Sequence, residues 1–546
     1  MKMLRFSTLA AAFALAAPLA WAAQDGCGPA DAPAASSAPR YDMIIRNGRV
    51  IDGAGNAWYR GDLAVKDGRI AAVGTLHTSA TAEREFDAAG RYVAPGFIDV
   101  HTHCEGDLEK RPEAENFVRM GVTSIVTGNC GSSYLNLADA FTSMTERGVG
   151  VNVASLVGHG SVRRRVMGNS SRDPSTTEMQ AMRDIVDTAM RDGAVGISTG
   201  LIYVPNTYSK TEEIVELARV VAAHKGLYAT HMRNEGSKVV EAIDEALTVG
   251  EQAGLPVQIS HFKIVAPKLH GQSDRTIAMV EEARKRGQDV TIDQYVYTAS
   301  STGLNSILPE WVADGTTTEV HQRLRDPEIR GRVVRELVRE RRDAQGRKDM
   351  SYASVASFRA DPSFNGKNLL EITRILRPGD ESWEAQIETA LDLVTSGGAG
   401  MVFHSISEDD VRRILAYPHN MFASDSGIRE LGVGVPHPRG YGNNARVLAR
   451  YVRELGMLRL EDAVRKMTSL PAQRFGFHDR GLLRPGMAAD VVVFDLANVR
   501  DESTFEAPHA WSRGFDLVMV NGVPVLDNDQ MSGKLPGRVL RHNAQP

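Results

Sequence analysis

Cysteine is scarce in this chain: Cys27, Cys104 and Cys130 are the only three in 546 residues. An odd number at such wide spacing excludes a disulfide framework as the source of stability. Charge of one sign is lacking too. A net charge of −5 gives no basic footprint for nucleic acid, so no nucleic-acid partner is expected. A Gly-rich phosphate fingerprint after a strand is missing. Beyond the first 22 residues, no apolar run approaches the ~20 residues of a membrane span, so no stable membrane insertion is expected. What is present is ordinary globular material, 42% apolar and 24% charged, enough for a sizeable core.

The first segment reads as an address rather than as fold. Lys2 and Arg5 flank an apolar stretch, Phe6 to Leu19, and Ala20-Trp21-Ala22 forms a small-x-small cleavage pattern. Residues 1–22 are therefore read as a secretory signal, and the protein as periplasmic or secreted. Residues 23–40, rich in Ala, Pro, Ser and Gly, read as a flexible linker that contains Cys27. In an oxidising compartment a thiol needs protection, and metal ligation offers it.

Residues 41–94 are short strands with hairpin signals at Asn47-Gly48 and Asp67-Gly68. The same grammar returns in residues 478–546, in Asp490 to Asp495 and in Leu517 to Val520 before Asn521-Gly522. One small β-sandwich domain built from both ends is expected. Residues 95–477 alternate apolar runs with helical stretches, the mark of βαβ units. The runs are Phe97–Val100, Ser124–Val126, Val195–Ile197, Leu227–Ala229, Val257–Ile259, Val290–Ile292, Met401–Phe403 and Met421–Ala423. In the helical stretch Lys210 to Ala223, Thr211 reads as the cap and Ile214, Leu217, Ala218 and Val221 as one face. About eight units favour an α/β fold of the (β/α)8 barrel type over an open doubly wound sheet. Residues 314–364 interrupt the alternation. Their dense Arg and Glu suit either a solvated helical hairpin or an inserted lid over the barrel mouth.

The chemistry gathers at the ends of the apolar runs, where barrel enzymes carry their sites. His101 and His103 follow the first run at i and i+2, which turns both imidazoles to one side. His231 and His261 each end a run, 30 residues apart, as adjacent barrel strands would be. Cys130 follows the Ile125-Val126 strand, and Asp425 ends a late one. Read singly, each has a plain alternative: a surface pair, a hydrogen-bonded core histidine, a small buried hydrophobe, a helix cap. Together they make a donor set of imidazole and thiolate that suits zinc better than magnesium or calcium.

Pro95-Gly96-Phe97-Ile98-Asp99-Val100-His101-Thr102-His103 resembles the first-strand motif of the amidohydrolase superfamily. Gly128-Asn129-Cys130-Gly131, Thr230-His231-Met232-Arg233, Ser260-His261-Phe262-Lys263, Asp293-Gln294-Tyr295 and His437-Pro438-Arg439 narrow the resemblance to the D-aminoacylases, or N-acyl-D-amino-acid deacylases. The resemblance implies a tightly held zinc on Cys130, His231 and His261. It implies a second, weak or empty, metal position at His101, His103 and Asp425, with Asp425 as general base. It implies Tyr203, Lys263, Tyr295, Ser301 and Arg439 as contacts to a small substrate bearing a free carboxylate. The expected enzyme is a monomer that cleaves linear amides. The alternatives are a cyclic amidase of the hydantoinase or dihydroorotase kind, and a non-catalytic metal-binding protein. One departure stands out: Cys104 occupies the place directly after His-Thr-His where the family commonly has an acid.

Overall fold

The computed structural model describes residues 40–542. The expected secretory signal, nearly all of the expected linker, and Cys27 lie outside them. No helix among the described residues is long and apolar enough to cross a membrane.

Eight parallel strands make the barrel. They are β1 (Phe97–Asp99), β2 (Val122–Thr127), β3 (Asn152–Ser155, resumed at Val157–Gly158), β4 (Gly196–Gly200), β5 (Leu227–His231), β6 (Val257–Ile259), β7 (Val290–Gln294) and β8 (Asn420–Phe422). Each pairs with the next in parallel. The ring closes between β8 and β1, where Thr102 bridges Ser426 and the Asp425 amide donates to the His101 carbonyl at 2.9 Å. Ile98, Val126, Ala154, Ala229 and Met421, from five of the strands, meet in one buried cluster. The strands are wholly buried because amphipathic helices cover them. The helix Thr211–Ala223, for instance, buries Ile214, Leu217, Ala218 and Val221. Its first turn departs from the expectation. Thr211 is the first helical residue rather than the cap, and its hydroxyl donates to Glu245 at 2.9 Å.

Two apolar runs exchange roles with respect to the sequence reading. Met401–Phe403 is not a barrel strand. It lies in Gly400–Phe403, the centre of a three-stranded sheet flanked antiparallel by Ser300–Gly303 and Ala353–Ser357. The missing barrel strand is β3, a polar-laced segment broken at Leu156. Met401 and Val402 are buried in and beside the insertion's own core while Phe403 is half-buried at the cavity, so an apolar run arose without a barrel strand.

The insertion is wider than residues 314–364. A second apolar core runs from Leu304 to Met401 and takes in Val320, Leu324, Val333 and Leu337 from the helices Thr317–Arg325 and Pro327–Val338. Its links to the barrel mouth include Ser237 donating to Glu340 at 3.0 Å and Arg347 donating to the Val265 carbonyl at 2.7 Å.

Both ends of the described chain build one nine-stranded sheet. Tyr92–Pro95 pairs with Val491–Phe494 antiparallel and with Arg40–Val50 in parallel, joining the early strands to the late ones. Met43, Leu63 and Val65 from the early part share a core with Val491, Leu517 and Met519 from the late part.

Candidate active site

Every ligand candidate sits just past the C-terminal end of a barrel strand or, for His231, on its last residue. His101 and His103 follow β1, Cys130 follows β2, His231 ends β5, His261 follows β6 and Asp425 follows β8. Cys130, His261 and Asp425 have φ of 51°, 35° and 50°, in the left-handed region that non-glycine residues rarely occupy. Such backbone costs about 1–3 kcal/mol per residue and persists only where the surroundings impose it. Here they do. Asp293 accepts the His261 amide at 2.7 Å, and the His101 carbonyl, just past β1, accepts the Asp425 amide. Beside Cys130, Gly128 has φ of 79°, and a Cβ there would meet the Leu156 carbonyl at 2.2 Å. The Glu105 carboxylate accepts from the Thr127 hydroxyl and the Gly128 amide, fastening the same loop.

The side chains converge. Cys130 Sγ lies 3.3 Å from His101 Nε2 and 3.7 Å from both His231 Nδ1 and His261 Nε2. Asp425 Oδ1 lies 3.1 Å from His103 Nε2 and 3.5 Å from His101 Nε2. Its other oxygen meets Arg439 Nη1 at 2.8 Å. Burial pushes the Cys130 thiol up, but His101 and the hydrogen bonds from three imidazoles outweigh it and hold the thiol well below its ordinary pKa. The same contest holds Asp425 well below the carboxylate range: burial raises it, and Arg439 and His101 prevail. A buried thiolate facing imidazole nitrogens fits zinc by donor type. Ligand atoms of His101, Cys130 and His261 lie within 4.8 Å of one another, as do those of His101, His103 and Asp425 and those of His231, Glu235 and His261, whereas Cys130, His231 and His261 are not drawn together so closely.

The expected substrate residues line the same cavity, about 670 Å³ in volume: Tyr203, Lys263, Tyr295, Ser301 and Arg439. Tyr295 is held as a neutral phenol by burial, and its hydroxyl has no partner. The Arg439 guanidinium lies 4.5 Å and the Lys263 ammonium 5.6 Å from its ring centre. Ser301 differs in detail. It stands on the insertion's small sheet, and its hydroxyl donates to the Met401 carbonyl at 2.8 Å. Tyr203 bonds Thr302 at 2.9 Å.

The chain belongs to the amidohydrolase family. The amidohydrolase family model matches residues 84–526. This amidohydrolase is 36% identical to a D-aminoacylase of Alcaligenes xylosoxydans xylosoxydans over 93% of its own length and 99% of the relative's. It is 36% identical to an N-acyl-D-glutamate deacylase of the same organism, over 92% and 97%. The crystal structure of an N-acyl-D-glutamate deacylase from Bordetella bronchiseptica, complexed with zinc and a phosphonate mimic of the tetrahedral intermediate, superposes with a TM-score of 0.78. It is 34% identical and covers 92% of this chain and all of that one.

Glu235 is the residue that sequence reasoning missed in this amidohydrolase. Nine-tenths buried, its carboxylate lies 2.9 Å from His261 Nδ1 and 3.8 Å from His231 Nε2, and it pairs with Lys263. With His261 Nε2 turned to Cys130, its Nδ1 faces both the Glu235 carboxylate and the Lys263 ammonium, the latter at 2.8 Å, contacts that fix the orientation of the imidazole. Its position four residues beyond His231 was the available signal. Cys104 resolves simply: it is a free thiol, fully buried in the main apolar core, and makes no disulfide with Cys130.

Proposed function

We propose that this amidohydrolase cleaves the amide bond of N-acyl-D-amino acids, or of peptides ending in a D-residue, with zinc at the barrel mouth. The observation that carries the reading is the Cys130 thiolate among three imidazoles, beside the buried Asp425–Arg439 pair. Cys130, His231 and His261 hold the tighter zinc. His101, His103 and Asp425 line a second position, weak or empty. When bound, the metal supplies Lewis acidity, lowering the pKa of water and polarising a carbonyl.

The chain's own groups do the rest. Lys263 and Arg439 hold the substrate's α-carboxylate by charge-assisted hydrogen bonds. Tyr295, a protonated hydroxyl with no partner, donates to the oxygen that gains charge as the carbonyl is attacked. Asp425 removes the proton from the attacking water and passes it to the leaving nitrogen. Arg439 meanwhile turns part of its charge from Asp425 to the substrate. That raises the carboxylate's proton affinity when it must act as a base. Tyr203 and Ser301 complete the wall against the acyl group. The relatives' action on D-amino-acid derivatives supports the D-series. Residues 1–22 direct the enzyme to the periplasm or beyond.

The test is hydrolysis of N-acetyl-D- and N-acetyl-L-amino acids, in pairs, by zinc-loaded protein. D-selective release of the amino acid is expected, falling about 100-fold in Tyr295→Phe, the usual scale for one oxyanion donor. No release from any pair, with zinc confirmed bound, sinks the deacylase reading.

A further inference from the structure

The cavity holds more cationic charge than that reaction uses. Seven lysines and arginines line it, against four carboxylates. Lys263 and Arg439 face Glu235 and Asp425, and Arg233 makes a double contact with Glu245, 2.9 Å for each pair. Arg164 and Arg429 have no such neighbour but spend their donors on Asn169 with the Val204 carbonyl and on Ser426. Arg341 and Arg347 have none either. Among the described residues, no carboxylate lies within 4.0 Å of either guanidinium.

Arg347 is the more telling of the two, being only 8% exposed. Its Nε donates to Gln345 at 2.9 Å and its Nη2 to the Val265 carbonyl at 2.7 Å. Its guanidinium stacks 3.7 Å from the centre of the Tyr352 ring. These contacts fix the plane and leave Nη1 without a hydrogen bond. Arg341 also lines the cavity, and its buried Nε has no partner. The two are tied through the backbone, the Arg347 amide donating to the Arg341 carbonyl at 3.0 Å. The carboxylates nearby are otherwise engaged. Glu340 accepts from Ser237 and Gln345, and Glu310 from Thr207. A buried, immobilised cation beside a second cation, with no counter-charge, is a poor way to stabilise a fold. It is a good way to receive an anion, because a fixed guanidinium plane matches a carboxylate.

The position says which anion. Val265, the anchor of Arg347, lies two residues beyond Lys263, whose ammonium belongs to the α-carboxylate contact. We propose that Arg347 and Arg341 form a second carboxylate subsite, so that the preferred substrates carry two carboxylates. One lies at Lys263 and Arg439, the other at the insertion. This rests on the deacylase reading above. The second carboxylate can be borne by the amino acid's side chain or by the acyl group.

Three pairs of substrates distinguish these sources: N-acetyl-D-glutamate with N-acetyl-D-glutamine, N-acetyl-D-aspartate with N-acetyl-D-asparagine, and N-succinyl-D-leucine with N-acetyl-D-leucine. The acidic member of at least one pair is expected to have a kcat/KM about 30-fold higher, the scale of a hydrogen bond to a charged group. The pair that shows it identifies where the carboxylate sits. Arg347→Met should bring that ratio to within about threefold of unity, and Arg347→Lys should keep part of it. Arg341→Met, at a half-buried position, should lower the ratio as well and serves if Arg347→Met does not fold. A ratio near unity in every pair, with the neutral members hydrolysed, overturns the subsite and leaves the deacylase reading standing. So does a ratio that survives both substitutions, or an Arg347→Met that slows both members alike, since pinning the insertion to Val265 would then be its whole role. No hydrolysis of any member by zinc-loaded enzyme overturns the deacylase reading, and the subsite with it.

Discussion

The two sides of the cluster at the barrel mouth are built from the same kinds of residue but have their charge engaged differently. On one side, Cys130 is surrounded by imidazole nitrogens at 3.3–3.7 Å, and no guanidinium touches it. On the other, both oxygens of Asp425 are taken, one by His103 at 3.1 Å and one by Arg439 at 2.8 Å. The thiolate is left for an ion from outside. The carboxylate is already balanced by a cation that the chain provides. On the proposed reading, the six donor residues do not make two equal metal positions. One side is suited to holding an ion and the other to moving a proton.

The largest expected effect tests the first half of that contrast. Cys130→Ala should leave no zinc after dialysis and activity at background, read by metal analysis beside steady-state kinetics. Full zinc retention there would place the tight site elsewhere. Next is Asp425→Asn, which should lower kcat by about 10³–10⁴-fold while one zinc per chain remains. Loss of zinc in this variant would make Asp425 a tight ligand first and a base second, and the contrast would break. The smallest effect sharpens it. Arg439 holds the Asp425 carboxyl below its ordinary pKa, so Arg439→Met must raise it. The acid limb of the kcat/KM profile should then move to higher pH, with KM raised about tenfold by the lost carboxylate contact. An unmoved limb would mean that Arg439 serves the substrate alone.

Much of this was legible in the residues because it is local. Seven of the eight barrel strands announced themselves as short apolar runs, and the candidate ligands lie at or just past the ends of strands. His101 and His103 needed only the strand repeat of two to be placed side by side. What was illegible depends on segments far apart in the chain. β3 carries Asn152 and Ser155 because Asn152 finds partners in neighbouring segments, Ser124 and Asp490 among them, and Ser155 bonds the Leu156 carbonyl where the strand breaks, so its run looked too polar for a core strand. Met401–Phe403 looked like a barrel strand because it packs against a second core. Glu235 has meaning only once Lys263 and His261, some 30 residues on, fold back over it. Arg347 does so only once the insertion reaches Val265, and nothing near it in sequence marks it as lacking a counter-charge.

The strand Tyr92–Pro95 leads directly into the barrel, yet one of its edges is satisfied by Val491–Phe494. Val153, in the third barrel strand, likewise bonds Arg538 and Leu540. Nearly four hundred residues separate each of these pairs. Tyr92–Pro95 and the third barrel strand therefore complete their hydrogen bonding only after almost the whole chain has been made. Such non-local pairing slows folding. A chain stopped short of residue 491 keeps an unpaired, apolar strand edge open to other chains. During synthesis that edge has to be shielded until the final strands arrive.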